Sequence, residues 1–119
     1  DWVLCLEVAE HIPPDLTPTF LRNLAAHAGE GIIMSWARPG LQGLGFANPR
    51  SEDEAVDLLR EHTGLYVDPD LTIKLRSSCL VPHLAESILV MVRTPRQAAP
   101  DAADALAPGC SAEEGWIYA

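Results

Sequence analysis

Lysine is almost missing from this 119-residue chain. Lys74 stands alone, and 8 basic side chains face 17 acidic ones, for a formal net charge of −9. A surface of that sign repels phosphate backbones and argues against a nucleic-acid reader. Long apolar runs are missing too. The longest, residues 2–6 and 88–92, are strand-sized and fall far short of the roughly 20 residues that span a bilayer. No membrane partner is expected. Cysteine is sparse and odd in number: Cys5, Cys79 and Cys110 are too widely spaced for a disulfide framework or a metal knuckle. The histidines His11, His27, His62 and His83 are scattered without ligand spacing, so no metal site is expected. Cys5 lies in an apolar run, where a reduced thiol behaves as a small hydrophobe. The compartment is read as reducing and cytoplasmic.

What is present is an alternation of strands and helices. Residues 2–8 form a nearly continuous apolar run, which predicts a strand covered on both faces. The chain opens with Asp1 directly ahead of it and reads as cut open just before a strand. A helix is expected over 17–28, with Thr17 as N-cap, Pro18 in the first turn and Gly29 at the C-cap. Residues 31–36 read as a second buried strand, and 37–50 as a long loop rich in glycine and proline. Ser51 and Glu54 make a capping box that opens a helix ending at Gly64. Residues 65–67 suggest a short strand. Residues 71–78 fit either a strand, by the alternation of Leu71, Ile73 and Leu75, or a helix capped by Asp70. Residues 87–93 form a third strong strand. From Pro95 the chain turns alanine- and proline-rich, and 95–119 is expected to be a disordered tail.

This order predicts an α/β fold built on an open sheet. Ligands of such sheets bind beyond the carboxyl ends of the parallel strands, so residues 7–12 and 36–48 should line one crevice. A strand as apolar as 2–6 should also have two neighbours, because an exposed apolar edge invites association. Only residues 32–36 offer one. Part of the sheet is therefore expected to be absent or supplied by another chain, and self-association through an open edge is the corollary.

The string Asp1-Trp2-Val3-Leu4-Cys5-Leu6-Glu7-Val8-Ala9-Glu10-His11-Ile12-Pro13 resembles the fourth-strand motif of class I S-adenosylmethionine-dependent methyltransferases, often D-x-V-x-x-x-E-V-x-E-H-I. Gly31-Ile32-Ile33-Met34-Ser35-Trp36-Ala37-Arg38-Pro39-Gly40 looks like the fifth strand of one subgroup, in which a glycine-rich loop ending in asparagine follows. Here that loop is Gln42-Gly43-Leu44-Gly45-Phe46-Ala47-Asn48, with Phe46 where the subgroup commonly has histidine. Residues 87–93 are similar to the antiparallel final strand of that fold. The resemblance covers about residues 1–94. It implies a partial Rossmann-like methyltransferase sheet, strands four to seven, acting on a small-molecule acceptor. The glycine-rich first loop and the acidic residue after the second strand, which hold the cofactor in that family, have no counterpart here. Weak or no binding of S-adenosylmethionine is therefore expected of this chain alone. The alternative is a non-catalytic remnant serving as an interaction module. A nicotinamide oxidoreductase is a weaker option, since no Tyr-x-x-x-Lys string is present.

Candidate site residues follow. Glu10 and His11 are the candidate catalytic pair: a histidine can accept the proton of a hydroxyl or amine, and a carboxylate can orient it. The same two residues equally suit anchoring the strand-to-helix turn. Leu6, Glu7 and Val8 are implied by the resemblance to lie against the cofactor. Glu7 is expected to be buried at the strand's end and so to need hydrogen-bond partners. Trp36, Asn48 and Arg50 are candidates for contacting substrate, as a wall, a hydrogen-bonding group and an anion partner. Core packing for Trp36 and surface charge for Arg50 are the alternatives. Arg38 is a weaker candidate.

Overall fold

The computed structural model describes residues 1–40 and 45–95. The loop glycine Gly43, Cys110, Trp116-Ile117-Tyr118 and the expected tail beyond Pro95 lie outside the described residues. Four strands form one mixed sheet: β1 (Trp2–Cys5), β2 (Gly31–Ser35), β3 (Tyr66–Val67) and β4 (Ile88–Val92), in the order β1-β2-β4-β3. β1 and β2 are parallel, and β4 runs antiparallel to both β2 and β3. The helices are α1 (Thr17–His27), α2 (Glu52–Thr63), α3 (Pro69–Ser78) and α4 (Pro82–Ser87). The fold is α/β, with a four-stranded mixed sheet and flanking helices. Among the described residues, no helix is long and apolar enough to cross a membrane.

Period-two alternation sorts the strands' side chains onto two faces. Cys5, Ile32, Met34, Leu89 and Met91 point to one face and join Leu21 of α1 and Ala55 and Leu59 of α2 in a single core. On the other face Leu4, Ile33 and Val90 stand in register across the sheet. Exposure rises along that row from 1% at Val90 to 68% at Leu4. β2 and β4 are thus covered on both faces, as continuous apolar strands should be, but β1 is not. It is the edge strand, and the coverage expected for it is missing among the described residues. Trp2 lies over Gly31, where a Cβ would strike both the Trp2 ring and the backbone oxygen of Met91.

β3 is only two residues long and leaves half of the β4 edge bare. α3 takes over that edge. The Asp68 N–H donates to the Val90 carbonyl (2.9 Å), the Thr72 hydroxyl accepts from the Val90 N–H (3.1 Å), and Arg76 Nε donates to the Ile88 carbonyl (2.8 Å). These residues recur every four positions, so one helix face satisfies strand groups that would otherwise be buried unpaired. This decides the ambiguity over 71–78 in favour of helix. The cap is Asp68, whose side chain accepts from the Leu71 N–H, rather than Asp70.

Two other helix ends differ from expectation. A 3-10 turn (Pro14–Leu16) feeds straight into α1, so Leu16 holds the N-cap position and Thr17 is already helical. α1 ends at an extended Ala28 rather than a left-handed Gly29. Its carbonyls are met by Arg93, which donates to Ala25 (3.0 Å) and Ala28 (2.7 Å). α4, which the sequence reading did not include, occupies the residues just before β4.

The capping box on α2 is present as expected. Ser51 Oγ accepts from the Glu54 N–H, the Glu54 carboxylate accepts from the Ser51 N–H, and Gly64 closes the helix at φ 67°. The backbone and hydroxyl donors of Ser51 hold the Glu54 carboxyl below its ordinary value of 4.5. A lowered carboxylate contributes stability above the unfolded value and loses it as pH falls through the folded one. Ser51→Ala should cost about 1 kcal/mol in urea unfolding at neutral pH. The stability gap between wild type and Glu54→Gln should close as pH falls below 4.5.

Candidate functional site

Beyond the carboxyl ends of β1 and β2 the chain turns sharply three times. After β1, Leu6–Val8 lead into a 3-10 turn (Ala9–His11). After β2, the loop from Ala37 onward returns across that turn. The two segments are joined directly: the Asn48 N–H donates to the Glu10 carbonyl (2.9 Å), and His11 Nδ1 lies 2.9 Å from the Gly45 carbonyl, to which it donates. The His11 ring also packs on Phe46, centroids 5.5 Å apart. The turn after β1 and the described end of the loop after β2 therefore meet beyond the carboxyl ends of the two strands. With Nδ1 engaged, His11 keeps Nε2 to accept a proton or hydrogen bond.

Asn48 is buried, and its polar groups are spent on structure. Nδ2 donates to Thr17 Oγ1 (2.9 Å), Oδ1 accepts from Arg50 Nε (2.7 Å), and the carbonyl accepts from Trp36 Nε1 (2.7 Å). This one network accounts for three of the expected substrate contacts. Trp36 is a buried core residue, Asn48 is a tie between β2, α1 and the turn after β1, and Arg50 orients Asn48. Arg38 is similarly occupied: it and Arg76 each lie 3.0 Å from the same Glu52 oxygen, and Arg38 also donates to the Glu86 carbonyl.

Glu7 and Glu10 exchange the roles expected of them. Glu7 is not buried; its side chain is 46% exposed. Glu10 is fully buried, and among the described residues neither of its carboxylate oxygens has a hydrogen-bond partner. Its charge is felt by Cys5, whose thiol is pushed up first by burial and then by the Glu10 carboxylate.

Glu7 has another peculiarity. Its φ is +58°, a left-handed conformation that side chains other than glycine, asparagine and aspartate rarely adopt. The Glu7 N–H donates to Ser35 Oγ at the end of β2 (2.8 Å), and its carboxylate lies 3.5 Å from His83 Nε2 on α4. Holding glutamate there costs on the order of 1–2 kcal/mol. Even a fully charged pair at such half-exposed positions would return only about 0–1 kcal/mol. The pair therefore does not compensate for its own backbone strain.

His83 and Ser35 were not singled out in the sequence. One signal pointed to His83. If the last strand is antiparallel, it starts where the parallel strands end, so residues just ahead of it must reach the crevice. At the opposite end of the sheet, Trp2, Gly29, Glu30, Val92, Arg93 and Thr94 line an open groove of about 250 Å³ that includes none of the residues singled out as candidates. Among the described residues no group of three or more metal-binding side chains occurs.

Comparison with family models, with curated proteins and with solved structures gives no match for this chain.

Two outcomes follow. Asn48→Ala removes side-chain bonds to Thr17 and Arg50 and should cost about 2 kcal/mol in thermal or urea unfolding. Glu7→Gly removes the left-handed strain and should stabilise the fold by about 1 kcal/mol. A loss of stability in Glu7→Gly would show that the residue is held for structure.

Proposed function

We propose that this chain carries the acceptor side of an S-adenosylmethionine-dependent methyltransferase domain of Rossmann-like type, acting on a small molecule. The observation that carries this reading is the contact between the two segments on which the resemblance rests. The Glu10-His11 turn and the glycine-rich loop are hydrogen-bonded to each other beyond the ends of adjacent parallel strands. The antiparallel last strand agrees with the same reading. The net charge favours a small acceptor over RNA or DNA.

The residues fit one wall of a cofactor site. Val8 is exposed and Leu6 is half-buried, which leaves both able to lie against a cofactor. S-adenosylmethionine, when bound, supplies an electrophilic methyl group. The chain's own part is to hold the acceptor in line, for which His11 Nε2 is available as a hydrogen-bond acceptor.

A second reading is favoured by the uncovered face of β1. Leu4 and Trp2 leave an apolar edge that suits an interaction module completing its sheet on a partner. The two separate experimentally. Tritiated S-adenosylmethionine supplied to the protein carrying this chain should label a low-mass acceptor fraction. Absence of transfer, together with a stable dimer of the 119-residue chain in sedimentation, would overturn the first reading in favour of the second.

A further inference from the structure

Because β4 is antiparallel, its first residue, Ile88, pairs with the last residue of β2, Ser35. α4, which ends at Ser87, is thereby delivered to the carboxyl ends of β1 and β2. Its His83 meets Glu7, and Ser35 holds the Glu7 backbone in the conformation that makes the meeting possible. The three residues come from β2, from the segment after β1 and from α4, so the arrangement is a product of topology rather than of sequence proximity. Both side chains are about half exposed, which leaves them accessible to a ligand.

We propose that Glu7 and His83 form a proton-accepting site for a small amine, an assignment that rests on the methyl-transfer reading for its reaction but not for its binding. The Glu7 carboxylate lies 3.5 Å from His83 Nε2, a placement that favours the proton on Nε2 and leaves the Nδ1 lone pair to accept. An amine arrives as an ammonium ion and is not a nucleophile until it loses a proton. One N–H bond of the ammonium breaks, its electron pair stays on the amine nitrogen, and the proton forms a new bond to His83 Nδ1. The resulting imidazolium lies against the Glu7 carboxylate. Charge selects the ligand. The nearby arginines are engaged elsewhere, Arg38 and Arg76 with Glu52 and Arg50 with Asn48. The half-exposed Glu7 carboxylate is left to set the sign, which attracts an ammonium group and repels a carboxylate. His83 is the catalytic residue of this pair and Glu7 its positioning residue.

The test reads the imidazole nitrogens of the 119-residue chain by long-range proton–nitrogen correlation. His83 should be the Nε2–H tautomer. Benzylamine should move its Nδ1 resonance saturably, and benzoate should not. In Glu7→Gln, which keeps the backbone conformation, and in Glu7→Gly, which relaxes it, the tautomer preference should be lost and benzylamine binding should weaken roughly tenfold. An unchanged His83 in both variants, or an equal response to benzoate, overturns the pair. The methyl-transfer assay fails separately: transfer that is insensitive to His83→Ala overturns this inference alone, and absence of any transfer overturns the parent reading.

Discussion

The geometry of the crevice depends on one buried asparagine. Asn48 uses its backbone N–H, its carbonyl and both side-chain atoms to join the Glu10 carbonyl, the Trp36 indole, the Thr17 hydroxyl and the Arg50 guanidinium. The described residues between β2 and α2, 37–40 and 45–51, have no sheet to satisfy their backbone. They must find such partners or stay in water. By closing on Asn48 they are held against the turn after β1, and that contact brings Gly45 and Phe46 to His11. Residues that looked like substrate contacts by position are thus the fixtures that keep the contact surface in place. Buried networks of this kind are worthwhile only when fully satisfied, and here every Asn48 polar group has a partner.

The second constraint is the reversal of β4. It lets the last strand pair between β2 and β3, and it carries α4 to the carboxyl ends of β1 and β2. The short β3 then leaves an edge that α3 must seal, and Asp68, Thr72 and Arg76 do so at four-residue spacing. Arg76 bonds at once to the Ile88 carbonyl and to Glu52, so the start of β4 is coupled to the first turn of α2. Arg38 enters the same cluster from the loop after β2.

Local chemistry was legible wherever it was self-contained. The capping box at Ser51 and Glu54, the glycine stop at Gly64, the two strong apolar strands and the short strand before α3 follow from patterns of a few residues. What was not legible depended on distant partners. Thr17 reads as a cap until a preceding 3-10 turn takes that position and Asn48 claims its hydroxyl. Leu71–Ser78 alternates like a strand, yet the bare edge of β4 selects the helix. Glu7 and Glu10 differ by one turn, and their burial could be assigned only once the loop lay over one of them. That the segments after β1 and β2 share one end of the sheet was legible, since it follows from parallel strands alone. His83 needed the reversal of β4 to be placed beside Glu7.

The energetics at this end of the sheet point the same way twice. A fully buried carboxylate with no hydrogen-bond partner is costly by several kcal/mol unless something compensates for its charge, and Glu10 is one. A left-handed glutamate costs more than its half-exposed contact with a histidine returns, and Glu7 is the other. Glycine at position 7 and an apolar residue at position 10 would relieve both. Two such costs within four residues, both beyond the carboxyl end of β1, are hard to derive from folding alone. Strain and unpaired charge concentrate where a protein meets its ligand, because there the compensating contact comes from the ligand. For the proposed amine site, an ammonium group is the simplest species that would compensate at Glu7: it is attracted by the exposed carboxylate, and it yields its proton to the histidine beside it.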